Sequence, residues 1–128
     1  MTILLVEDSP DDVFFFRRAV KKAEISADTQ VASDGLEAIR RLTKPDPAQP
    51  PGIIFLDLKL PHINGFELLQ WIRERPELQV PPIVVLTSSD EPEDRDKAAS
   101  LGASLFLTKP PAPDQLRDVF HKILGQHS

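Results

Sequence analysis

Cysteine is absent from all 128 residues, which removes disulfide staples, zinc–thiolate sites and cysteine nucleophiles together and is compatible with a reducing compartment. Long apolar runs are missing too. No stretch approaches the roughly 20 residues that a membrane-spanning helix needs, and no basic leader or cleavage-like segment precedes the first apolar run, ILLV. A cytoplasmic location is the expectation. Positive charge is in deficit, with 15 Lys and Arg against 20 Asp and Glu and a net charge of −5. Such a chain lacks the basic footprint that neutralises phosphates in nonspecific nucleic-acid binding, so neither nucleic acid nor membrane is an expected partner. Without an internal repeat or a domain linker, residues 1–128 suit one globular domain around a single core.

Proline is plentiful, with 13 residues, but these fall between periodic segments and punctuate them. The longest such stretch, KPDPAQPPG from Lys44 to Gly52, reads as a stiffened, extended surface connection. Runs rich in Ile, Val and Leu lie at Ile3 to Val6, Ile53 to Leu56, Ile83 to Leu86 and Leu105 to Leu107, a pattern that suits strands of a parallel sheet buried on both faces. DTQVAS adds an edge strand around Thr29 to Ala32. Helical patterns begin near Pro10, Gly35, Asn64, Pro92 and Pro113. Five strands alternating with five helices predict an α/β fold, a parallel sheet with helices on both faces. In the first helix Ser9 is the N-cap, Pro10 takes the first helical position, and Ser9 and Asp12 have capping-box spacing, so Asp11 and Asp12 read as structural. The last helix shows a core stripe of Leu116, Val119, Phe120 and Ile123, with Gly125 marking its end.

One charge breaks this order. IIFLDLKLP sets Asp57 between leucines at the end of a buried strand, where an isolated carboxylate is costly without partners. The plain alternative is a loop-starting Asp that turns the chain toward Pro61. In a parallel sheet all the carboxyl ends meet on one edge, and that edge gathers Glu7 and Asp8, Asp57, Thr87 and Ser88, and Thr108 and Lys109. Three carboxylates from adjacent strands repel unless a hard cation joins them, and oxygen ligands suit Mg²⁺. A carboxylate nucleophile, a metal clamp, a hydroxyl and a compact cation are what phosphoryl transfer requires.

The successive segments LLVEDSPDD, IIFLDLKLPHINGFELL, PPIVVLTSS and GASLFLTKP resemble the motifs of the response-regulator receiver domain of two-component signalling, in the family order and over essentially the whole chain. The resemblance implies a flavodoxin-like (βα)5 domain with strand order 2-1-3-4-5. It implies that Asp57 is the phosphoacceptor for a sensor histidine kinase, that Asp8, Asp57 and the backbone carbonyl of Lys59 hold Mg²⁺ with Glu7 acting through a bound water, and that Thr87 is the switch hydroxyl. Lys109 would pair with the phosphoryl group, its bond to Pro110 would be cis, and Ser88 would leave the pocket open. Phe106 matches the aromatic-switch position, where Tyr is common; the plain alternative is an ordinary edge aromatic. Pro111 departs from the family by doubling the proline after Lys109, and Lys59 and Ser89 occupy variable positions beside the pocket.

On the first helix Val13, Phe16, Val20 and Ala23 form the core stripe, and at about 100° per residue Phe15 points nearly opposite it and Phe14 well off it. Exposed aromatics there resemble the surface that receivers offer to a kinase's histidine-bearing helices. Trp71 and Leu68 are expected to pack locally, and His62, His121 and His127 to be bland. DEPEDRDK reads as a solvated helix start. The chain looks most like stand-alone regulators paired with phytochrome-type kinases, relatives that often form homodimers through the fourth helix, fifth strand and fifth helix. Two rivals stand beside this reading. An aspartyl-nucleophile phosphohydrolase would want a second Asp where Lys59 stands, and a binding scaffold would have no use for the Asp8, Asp57, Thr87 and Lys109 set.

Overall fold

Branched side chains stack well on a pleated surface, and a strand made only of apolar residues needs cover on both sides. The computed structural model, which describes residues 1–124, meets both demands. Strands β1 (Thr2–Val6), β2 (Asp28–Ala32), β3 (Pro51–Leu56), β4 (Ile83–Thr87) and β5 (Leu105–Thr108) alternate with helices α1 (Pro10–Lys22), α2 (Gly35–Thr43), α3 (Gly65–Arg73), α4 (Pro92–Ser100) and α5 (Pro113–Leu124). A short 3-10 turn, Pro76–Leu78, precedes β4. All pairings are parallel and the strand order is β2-β1-β3-β4-β5, the flavodoxin-like order expected. Gly125 and His127 lie outside the described residues.

Alternation along the strands divides the core in two. Ile3, Leu5, Ile53, Phe55, Val84 and Leu86 face α1 and α5, where they meet Phe16, Val20, Leu116 and Val119. Their neighbours Leu4, Val6, Ile54, Leu56, Ile83 and Val85 face the other way, toward α2, α3 and α4. Phe16 packs edge-on to Phe55 with centroids 4.9 Å apart, and burying such a side chain contributes about 2–3 kcal/mol. The stripe predicted on α5 holds: Leu116 and Val119 are buried, and Phe120 and Ile123 pack against the same cluster.

Three expectations need correction. Lys44 to Gly52 is exposed for most of its length but not simply extended: the Asp46 carboxylate accepts the Ala48 N–H at 2.9 Å and the Asp46 carbonyl accepts the Gln49 N–H at 3.1 Å, which turns the chain. Pro51 and Gly52 then join β3. Leu68 is a central core residue, 1% exposed, and not a local packer, while Trp71 packs against the same cluster under the Arg75 guanidinium. β5 is half-buried at all four positions, because as an edge strand it has a neighbour on one side only.

Candidate functional site

Backbone register assembles the site. Val6 pairs with Leu56, so the next residues, Glu7 and Asp57, emerge side by side at the carboxyl edge. The Asp57 N–H donates to the Val6 carbonyl at 3.1 Å, and the Glu7 N–H to the Ala32 carbonyl at 2.9 Å. Farther along the edge Thr87 pairs with Thr108, and the Lys109 N–H donates to the Thr87 carbonyl at 2.8 Å. Lys109 precedes a cis bond to Pro110. Gly65 holds the loop after β3 tight, since a Cβ there would come within 2.6 Å of the Asp57 carbonyl oxygen.

Glu7, Asp8 and Asp57 each offer an oxygen, and these oxygens lie within 4.8 Å of one another. Glu7 and Asp57 are buried at 2% and 5% exposure, whereas Asp8 opens to solvent. Burial pushes the Glu7 carboxyl up from its ordinary value and the Asp57 charge adds to this, against the opposing hydrogen bond from Lys109. The Lys109 ammonium sits among the acids, 2.6 Å from Glu7 Oε1, 2.7 Å from Asp12 Oδ2 and 3.1 Å from Asp57 Oδ2. Burial alone would lower the Lys109 pKa, but the hydrogen bonds to Asp12, Glu7 and Asp57 outweigh it and hold the ammonium above the ordinary lysine range. Asp57 Oδ1 accepts the Lys59 N–H at 3.2 Å, so both carboxylate oxygens are engaged.

An oxygen-only donor set in which burial and mutual repulsion raise a carboxyl is one that a small hard divalent cation would relieve. The residues present therefore fit Mg²⁺. Thr87 is fully buried and its Oγ1 accepts the Ser89 N–H at 3.4 Å, while Ser88 is exposed and Ser89 Oγ donates to Asp94 Oδ2 at 2.6 Å. Phe106 is half-buried on β5, with the Arg95 guanidinium 5.0 Å from its ring centroid. Phe14 and Phe15 are exposed, 60% and 47%, and meet edge-on at 5.6 Å. Phe14 lines a groove of about 510 Å³ with Glu7, Asp8 and Val13, and Phe15 lies by Lys109, Pro110 and Pro111.

Asp12 is the correction at the site. Its spacing from Ser9 predicts a capping box, but only half forms: Ser9 Oγ accepts the Asp12 N–H at 3.3 Å, while the Ser9 N–H donates to Glu7 Oε2 at 3.2 Å. The Asp12 carboxylate turns to Lys109 instead. Its place in the first turn of a helix that starts at the site edge was the signal for it.

The sequence model of the response regulator receiver domain matches residues 3–121. This chain belongs to the response-regulator receiver family. Response regulator Rcp1 of Synechocystis sp. is 34% identical over 98% of this chain and 86% of its own length. Among solved structures, the bacteriophytochrome response regulator AtBRR superposes with a TM-score of 0.84 at 33% identity, covering 99% of this chain and 94% of that one. The Mn²⁺-bound form of Rcp1 superposes at 0.79 with 31% identity, over 99% and 96%. The receiver thus works in phosphorelay signalling. None of its helices is long and apolar enough to cross a membrane, among the described residues.

Proposed function

We propose that Asp57 accepts a phosphoryl group from the phosphohistidine of a sensor histidine kinase, and that this receiver domain, spanning residues 1–128, signals through the protein contacts that the new group alters. The observation behind this reading is a buried Asp57 carboxylate with both oxygens engaged, by Lys59 N–H and Lys109 Nζ, beside Glu7 and Asp8. An Asp57 oxygen forms a bond to phosphorus as the P–N bond breaks, and the imidazole nitrogen keeps the electron pair. Lys109 offsets charge on the phosphoryl oxygens, and the Thr87 hydroxyl turns inward to donate to one of them.

Asp8, Asp57 and the Lys59 carbonyl, with Glu7 through a water, are the proposed holders of Mg²⁺, which when bound supplies positive charge to the phosphoryl oxygens. The acidic trio and the Mn²⁺-bound form of Rcp1 support this choice. Ser88 leaves the pocket open, and movement of Thr87 makes room for Phe106 to change rotamer. Exposed Phe14 and Phe15 suit docking of the kinase's histidine-bearing helices, and the phytochrome associations in the neighbours' names favour a phytochrome-type kinase. A homodimer through α4, β5 and α5 and a cytoplasmic setting complete the reading. On this reading the receiver is not an enzyme, and the only steps it catalyses are its own phosphorylation and dephosphorylation. Lys59 stands where a phosphohydrolase would need its acid–base Asp, which disfavours that rival.

Intact mass after incubation with Mg²⁺ and a small acyl phosphate tests the proposal. One added phosphoryl group is expected, dependent on Mg²⁺ and missing from Asp57→Ala. An adduct that persists in Asp57→Ala overturns Asp57 as the acceptor, and none in the wild type when hydrolysis is trapped turns the reading toward a scaffold.

A further inference from the structure

An ammonium has three N–H bonds, and in this receiver three carboxylates take them. Lys109 Nζ lies 2.6 Å from Glu7 Oε1 and 2.7 Å from Asp12 Oδ2, both nearer than Asp57 Oδ2 at 3.1 Å. A phosphoryl group on Asp57 takes over the N–H bond that Asp57 now accepts and places its oxygens farther out, so the ammonium has to follow them against the pull of its other two partners.

Those two acids are not equally ready to let it go. The side chain of Glu7 is 2% exposed, and returning it to water would mean opening the edge of the sheet. Asp12 is 38% exposed on the first turn of α1 and can be rehydrated where it stands. It is also not held by the capping role its spacing suggests, because the Ser9 N–H is already taken by Glu7. We propose that Asp12 is a positioning residue that competes with the phosphoryl group for Lys109, so that the Asp12–Lys109 pair opposes phosphorylation of Asp57 and parts when it occurs. This rests on the reading of Asp57 as phosphoacceptor. It also links phosphorylation to α1, because the pair ties the helix bearing Phe14 and Phe15 to the loop after β5 across 97 residues of sequence.

Two measurements on the full chain test it. The first is titration with beryllofluoride, a non-covalent phosphoryl analogue, at fixed Mg²⁺, followed by amide NMR in wild type, Asp12→Asn and Asp12→Glu. Asp12→Asn is expected to lower the half-saturating concentration about two- to fivefold, the weight of one partly exposed ion pair. Asp12→Glu, which keeps the charge and can reach the ammonium, is expected to stay near wild type. The second is a double-mutant cycle by urea denaturation in chelator, with Asp12→Asn and Lys109→Met, where the two substitutions are expected to be non-additive. Wild-type saturation with no shift in Asp12→Asn, or an additive cycle, overturns the role of Asp12 and leaves the phosphoacceptor reading intact. A wild type that binds no beryllofluoride overturns both.

Discussion

Helices α1 and α4 begin alike and are held quite differently. Each has proline at its start and two acids in its first turn, Asp11 and Asp12 in one, Glu93 and Asp94 in the other. Each sends the second of those acids back toward the site, Asp12 to Lys109 and Asp94 to Ser89. Beyond the first turn the likeness ends. α1 is capped by Ser9 and buries Phe16, Ala19 and Val20, whereas α4 has no side-chain cap and buries only Ala98. What α4 has instead are cations laid over rings, Arg95 over Phe106 and Lys97 over Phe66. Helices in proteins draw most of their stability from an apolar face, so α1 is the more firmly anchored of the two and α4 the one with less to hold it. The difference matches their proposed uses: a steady surface for a kinase, and a movable one for output.

The largest effect that could break this contrast lies in the core. Phe16→Ala is expected to cost about 3–5 kcal/mol in urea denaturation, while alanine at Arg95 or Lys97 is expected to cost no more than about 1 kcal/mol; a loss in α4 as large as in α1 would end the comparison. Next come the caps. Ser9→Ala is expected to cost about 1 kcal/mol, and Glu91→Ala, whose side chain caps nothing, only a few tenths. The smallest effect sharpens the picture through α2, where the Asp34 carboxylate accepts the Glu37 N–H and the Glu37 carboxylate accepts the Ser33 N–H, both at 2.8 Å. The Ser33 N–H, ahead of the weaker pull of Arg41, holds the Glu37 carboxyl below its ordinary 4.5. A depressed carboxyl gives stability that is present above the unfolded value and disappears as pH falls through the folded one. The stability gap between wild type and Glu37→Gln is therefore expected to be level near neutrality and to close below about pH 4.5, read by denaturation at a series of pH values.

Element starts were legible in the sequence because their causes are local: Ser9, Asp34 and Asn64 each accept from an N–H three residues on. The sheet edge was legible too, since a parallel sheet brings the residues after its apolar runs together wherever they lie in the chain. Contacts decided elsewhere were not. Asp12 offers its own neighbourhood a capping box, and only a lysine near the end of the chain draws it away. Pro51 joins β3 because Thr2 pairs with it, and no local pattern in KPDPAQPPG announces that partner. Phe14 and Phe15 were readable as exposed from angle alone, while the Arg95 guanidinium over Phe106 depends on how α4 settles against β5.

The register that brings Glu7, Asp57, Thr87 and Lys109 to one edge also has a temporal meaning. These residues become neighbours only when β1, β3, β4 and β5 are all aligned, and β5 is the last of the described strands and lies at the sheet's margin. Long-range parallel pairing is slow to form, so a chain caught with β5 undocked displays its acids without the ammonium that balances them. On the proposed role of Asp57, competence to take a phosphoryl group is then a certificate of completed folding.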